Sequence, residues 1–469
     1  MTTPTTVFEF VMADPVKNPK PGKSLQIRRH CMQGRNTREG SRRMQQGQRK
    51  RPIKDEENAL GVQRALRPNK SLVSEMPPPE SLICDLALLR FAGPGIDSKA
   101  RAPLFKAFAY SFANQALSPL DRCVEFDCLD SDSFELFLSD NAFLHSVMCA
   151  SFAINDILNS QWNGKPGPQT LFHLRNALSL LQEKLRDRNV HQDESVLQVV
   201  LNLALLSGAF GEWPAAGTHF KGLHKLVQMR GHLEFLKGRP KLHFKLDRID
   251  LARTLTTGRR PLFLDPAVSW APIIPAPYST LPVELYQPSP NWHPRLVNIF
   301  RDFQYLCVEI NSDAMRHLPH NATYLQSVLT SLQSRLLHLG DLPVDPPMEK
   351  LVRLTMLCLL TTTSKTAGRK LPYDWVIKQV RDAYTKAARQ LLQEDICLRV
   401  WLVMTVAFTV ANPQKEWVRE EWEKIDLGLD RNWASVKNHL MHVTWIESIH
   451  DRPGELVFKQ LEESSFLKN

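Results

Sequence analysis

VLQVVLNLALL (residues 196–206) and ICLRVWLVMTVAFTVA (residues 396–411) are the two stretches on which the fold turns. Both are longer than an ordinary strand, and both are apolar on nearly every face at helical spacing, which is the mark of a helix buried on all sides. Neither reaches the roughly 18–20 uninterrupted apolar residues that a membrane span requires, and Arg399 interrupts the second. They predict an all-α body, one buried helix in each half of the chain, with no membrane partner.

Working outward, amphipathic helices flank these two. Phe143, Leu144, Val147 and Met148, continued by Ile154, Ile157 and Leu158, form one stripe. Leu171, Leu174, Leu178, Leu181 and Leu185 repeat at spacings of three and four and predict a second. A helix over about Pro214 to Arg230 follows, with proline tolerated in its first turn and Gly231 at the position of a C-terminal cap. Tyr324, Leu325, Val328, Leu332 and Leu336 share a face, as do Val376, Val380, Tyr384, Ala387 and Leu391, while Leu351 to Leu360 reads as buried. A charged helix from about Gln414 and a last one over Trp433 to Ile449 complete the reading. Nine prolines between Pro261 and Pro294 forbid regular helix there and predict a crossover.

The N-terminal side is of another kind. From Lys17 to Lys54 thirteen lysines and arginines stand against Glu39 as the sole acid. So few apolar residues do not offset the entropy of ordering, and the reading is a disordered arm. The organisation expected is an arm over 1–80, a first helical part over 81–260, the proline-rich crossover over 261–295 and a second helical part over 296–469. Within the arm, Arg49, Lys50 and Arg51 precede Pro52 as a compact basic cluster. It admits three readings: a nuclear-import element, a phosphate-contacting patch giving salt-sensitive nucleic-acid affinity, or a solubilising tail. A second basic concentration, Lys221 to Arg260, reads as a solvated helix face or a patch for an acidic partner.

Exclusions narrow the function. Glycine is scarce, at 20 residues, and no G-x-S-x-G elbow, H-E-x-x-H helix, P-loop or dinucleotide fingerprint is present. Gly93-Pro94-Gly95 lacks the following Lys-Ser/Thr of a phosphate cradle. The eight cysteines include no C-x2-C pair, so structural thiols and no metal are expected. His219, His224 and His232 are spaced by five and eight, which does not stack them on one helix face. The opening MTTPTTVFEFVMADP has no secretory pattern, so an intracellular, non-enzymatic protein without cofactor is expected.

The segment Ala215 to Leu233, AAGTHFKGLHKLVQMRGHL, resembles the A-x-x-H-x-x-G-L-x-x-[ILM]-[VI]-x-x-R-G-G helix of the fungal-specific transcription factor domain family. Lys245 to Ala252 (KLDRIDLA) and Arg260 to Phe263 (RPLF) resemble that family's R-x-D-L and proline–phenylalanine patterns. Phe8 to Val11 and Ile27 to Gly34 look like the opening of its zinc-cluster-less branch, sometimes labelled tachykinin family. The chain departs from the pattern at His232, where the family has glycine, and it lacks the C-x2-C-x6-C array that reads DNA in the wider family.

The resemblance implies a nuclear regulator of transcription that works through protein partners, other transcription factors or a second copy of itself. Nonspecific nucleic-acid binding through the arm, and a small-molecule-sensing pocket lined by 196–206 and 396–411, are the alternatives. It also implies architectural roles for Gly222, Leu223, Arg230, Gly231 and Asp250. Gly222 is expected to permit close helix approach, Leu223 to face the core, Arg230 to complement the helix C-terminal dipole and Gly231 to cap it.

Overall fold

The computed structural model describes Val124, Glu125, Leu136 and, with short interruptions, residues 139–466; all of them belong to the unit Pro77–Asn469. The body is all-α. Fourteen α-helices are described, together with one two-residue parallel pairing of Val124–Glu125 with His320–Asn321. The arm expected over 1–80, including Arg49, Lys50 and Arg51, lies outside the described residues.

The first group of helices is α1 (Asn141–Leu158), α2 (Pro168–Lys184), α3 (Glu194–Ala209) and α4 (Trp213–Met229), with α1 packed on α2 and α3, and α3 on α4. Asp140 caps α1 by accepting from the Phe143 amide at 2.7 Å, and Asp193 caps α3 through Ser195. Helix α3, the first of the two deciding stretches, is buried along nearly its whole length. Helix α2 departs from expectation. Its buried residues are Thr170, His173, Ala177 and Leu181, whereas Leu171, Leu174 and Leu178 are only half-buried. The contact face is rotated by about one residue from the leucine stripe. Polar groups drive the rotation: Thr170 donates to Asp156 at 2.6 Å, and the His173 ring meets His145 with Nδ1 atoms 2.9 Å apart.

A short helix α5 (Leu233–Leu236) leads into α6 (Pro240–Thr257), which packs against α3 on one side and against the second group of helices on the other. A helix with partners on several sides needs apolar residues all round, and Leu242, Phe244, Leu246, Ile249, Leu251 and Leu255 supply them. Helix α6 stops at Gly258, whose φ of +70° belongs to a left-handed cap. A Cβ there would fall 2.5 Å from the Trp375 indole nitrogen, so both backbone and space call for glycine.

The second group comprises α7 (Pro294–Met315), α8 (Ala322–Leu339), α9 (Pro347–Leu360), α10 (Asp374–Leu391), α11 (Ile396–Thr409), α12 (Glu416–Glu423), α13 (Trp433–Val443) and α14 (Glu447–Phe466). Its core centres on α9 and α11, the second deciding stretch, with Trp401 fully enclosed and its indole N–H donating to the Thr444 carbonyl. Phe244, Leu251 and Leu255 of α6 belong to the same apolar cluster. The faces expected on α8 and α10 are the buried ones, apart from Tyr324, which is half-buried.

No helix is described between Thr257 and Pro294, and the crossover is tied down where Tyr286 donates its amide to the His442 carbonyl at 2.8 Å and its hydroxyl to Glu394 at 3.1 Å. The C-terminal helix differs from the reading of Trp433 to Ile449 as one element. Thr444 is extended, the chain breaks there, and α14 runs on to Phe466. The break is held by His450, whose Nδ1 accepts from the Ile446 amide.

Candidate functional site

The residues that carry the family resemblance are separated in sequence, and the fold brings them together. Asp250 on α6 is buried, and its Oδ2 accepts from the backbone amides of Leu262 and Phe263 at 2.7 and 2.8 Å. Arg253, one turn on, donates to Asp250 Oδ1 at 3.3 Å and to the Arg260 carbonyl at 2.5 Å. The carboxylate and guanidinium thus fasten the R-P-L-F segment back onto the helix it has just left. Phe263, so placed, meets the Phe220 ring edge-on at 5.1 Å and the His224 ring at 5.3 Å, both on α4. His224 is hydrogen-bonded to the Leu262 backbone. Three sequence segments therefore form one packed module around Asp250.

Electrostatics in the module follow burial. Desolvation pushes the Asp250 carboxyl up to about 6, against the pull of the Phe263 amide, Arg253 and the Leu262 amide. His224 is lowered, first by burial and then by His232 and Arg253. Both shifts oppose charge in a low-dielectric place, and neither builds an acid–base pair aimed at a cleft.

The other motif residues take structural places. Leu223 is fully buried with Leu226 and Val227, and Gly222 lies half-buried in the middle of α4. Gly231 (φ +101°) ends α4: its amide donates to the Gln228 carbonyl and that of His232 to Val227, the paired bonds of a Schellman cap. His232 follows at φ +57°, the one non-glycine residue with positive φ among those described. The family pattern has glycine where this chain has a strained histidine.

Arg230 corrects the expectation placed on it. Its side chain leaves the end of its own helix, donating to the His191 carbonyl and pairing with Glu194 in the first turn of α3 at 2.6 Å. Arg239 pairs with the same carboxylate at 3.0 Å, and the two guanidiniums lie over the Phe235 ring at 5.0 and 4.4 Å. Arg230 is a strut between α3 and the α4–α5 turn. A cation was expected there from helix electrostatics; its partner is set by tertiary packing.

No group of three or more His, Cys, Asp or Glu side chains positioned for a metal ion occurs among the described residues. Cys149, Cys307 and Cys358 are buried thiols, while Cys397 is partly exposed with its Sγ 3.3 Å from His439 Nδ1. Burial and Asp395 push the Cys397 thiol up to about 12, the opposite of an activated nucleophile. Within the second basic concentration, Arg230, Arg239, Arg253 and Arg260 pair with carboxylates, and Arg248 lies over the Phe244 ring.

Two buried polar clusters had no sequence signal. Asp302 on α7 and Arg335 on α8 form an ion pair at 2.7 Å with both side chains fully enclosed. Asp247 on α6 accepts from Gln326 and Thr330 of α8, and its carbonyl accepts from Gln333. Polar residues inside apolar stripes were the only trace either left in the chain. No protein-family model, curated protein or solved structure matches this sequence. No helix among the described residues is long and apolar enough to cross a membrane.

Proposed function

We propose that this chain is a nuclear regulator of transcription that acts through protein partners and carries no zinc-cluster DNA reader of its own. The supporting observation is the module around Asp250. The segments that resemble the fungal-specific transcription factor domain, Ala215 to Leu233, Lys245 to Ala252 and Arg260 to Phe263, depend on one another for their hydrogen bonds and ring contacts. Mutual dependence in space is what a shared domain architecture demands of motifs scattered in sequence. The basic arm adds a means of entry to the nucleus, since the consecutive basic residues Arg49-Lys50-Arg51 suit an acidic import receptor.

Full-length protein tagged and followed in fungal cells is expected to accumulate in the nucleus. Arg49→Ala, Lys50→Ala and Arg51→Ala together are expected to abolish that accumulation. Unchanged localisation of the triple variant would remove the import role.

DNA binding separates partner-dependent action from direct reading. The full-length protein is expected to bind DNA weakly, with an affinity that falls steeply with salt, and the version lacking residues 1–54 is expected to lose that binding. Sequence-selective binding retained without the arm would overturn the proposal, because the helical body would then be the reader.

A further inference from the structure

Helices α10 and α12 are neighbours, the Tyr384 and Trp417 rings meeting at 5.9 Å, and with α11 they border one open cavity. Of the two apolar stretches expected to line a pocket, only 396–411 contributes to it, through Arg399 and Val403. The outer faces of the two helices carry opposite charge.

Helix α10 buries Val376, Val380, Tyr384 and Ala387, and its other side presents Lys378, Arg381 and Arg389 to solvent. At 3.6 residues per turn these three cations fall within an arc of about 80°. None of them makes an ion pair among the described residues, whereas Lys386 on the same helix is matched by Asp382 at 3.0 Å. Helix α12 buries Val418 and Trp422 and exposes Glu416, Glu420 and Glu423, which share an arc of about 60°. Glu416 and Glu420 have no ion-pair partner among the described residues, and the nearby Lys424 is taken by Glu421 at 2.6 Å. The counter-signed groups Asp374 and Lys415 stand at the N-terminal ends of α10 and α12. Just past the end of α10 lies Leu392, 66% exposed, on the lining of the cavity.

We propose that this face binds a second copy of the chain about a two-fold axis, α10 of each copy lying on α12 of the other. An acidic partner of another kind would match α10 alone, and a basic one α12 alone. A second copy matches both, because a two-fold axis repeats each contact and closes the assembly. Solvated ion pairs contribute little by themselves, so their part is to fix register and exclude wrong partners. The apolar contribution comes from Leu392 and the cavity opening beside it, which association covers. The association supplies one partner for the action proposed above but is drawn from the helical body alone. Its failure would leave the nuclear reading standing, and a failure of nuclear accumulation would leave the dimer standing.

Sedimentation equilibrium of the full-length protein at micromolar concentration, in low and high salt, provides the test. A dimer is expected in low salt, loosening as salt screens the two faces. Lys378→Glu with Arg381→Glu makes both faces acidic, and Glu416→Lys with Glu420→Lys makes both basic. These positions are exposed, so the melting temperature of each variant is expected to match the parent's. Each double variant alone is expected to self-associate at least about a hundredfold more weakly, since each like-charge contact occurs twice. An equimolar mixture of the two is expected to restore the dimer, because every contact between unlike copies then pairs opposite charges. A protein that stays monomeric throughout would overturn the proposal, as would a dimer that both variants leave intact or a mixture that fails to associate. Dissociation by the α12 variant alone would also overturn it, placing the basic residues of 17–54 on α12 in place of a second α10.

Discussion

Asp302→Ala is expected to lower the stability of the helical body by about 3–5 kcal/mol, the cost of stranding a buried charge. Arg335 is fully enclosed and its Nη2 lies 2.7 Å from Asp302 as an ion pair, while none of its three guanidinium nitrogens makes a hydrogen bond. Removing the carboxylate leaves a guanidinium in the apolar interface of α7 and α8 with nothing to offset its desolvation. The pair itself is a different matter from its halves. Replacing both residues together, Asp302→Leu with Arg335→Met, removes the charge and its counter-charge and fills the space with carbon. That double variant is expected to fall within about 1–2 kcal/mol of the parent, on either side. Chemical denaturation of the parent, the two single variants and the double variant measures the cycle. A single variant no less stable than the double would show that the interface tolerates the lone charge, through water or local opening, and that the pair is not dry.

Asp250 should make stability depend on pH in the unusual direction. An unfolded aspartate titrates near about 3.9, and burial raises Asp250 in the folded protein to about 6. The folded state then holds its proton more tightly than the unfolded one. The stabilisation from this group is fully present below about pH 4 and is lost as the pH rises through about 6, by about 3 kcal/mol in all. Asp250→Asn keeps the shape and cannot titrate. Its stability deficit relative to the parent is expected to be largest near pH 4 and to shrink toward pH 7. A deficit that grows with pH would mean that Arg253 and the two amides outweigh burial, holding the carboxylate charged. Asp250→Ala, by contrast, leaves the amides of Leu262 and Phe263 and the Arg253 guanidinium unmatched, and is expected to be harmful across the whole range.

Much of the helical plan was open to sequence reading because apolar spacing maps directly onto a helix face. The stripe of α10 came out as read, Val376, Val380, Tyr384, Ala387 and Leu391 all buried. In helix α2 the leucines mark the right helix but the wrong centre of the buried face. A short polar side chain with a partner across the interface, as Thr170 has in Asp156, is buried at no cost that hydropathy registers. The merging of α13 and α14 has a similar source, since the apolar pattern continues through Thr444 while the backbone does not. Of the motif residues, Gly231 could be read as a cap because left-handed backbone is a local requirement. Arg230 could not be given its partner, because Glu194 lies 36 residues away along the chain.

By itself, the sequence determined that the body is all-α and that 196–206 and 396–411 are buried. These are consequences of periodicity and backbone chemistry, which act over a few residues. Only the tertiary structure decided that α6 lies between both groups of helices, that Asp250 fastens the Arg260 to Phe263 segment against α4, and that Asp302 finds Arg335. Each of these depends on the desolvation and pairing of polar groups brought together from distant positions. The worth of such a group is set by what surrounds it in space and leaves no period in the chain.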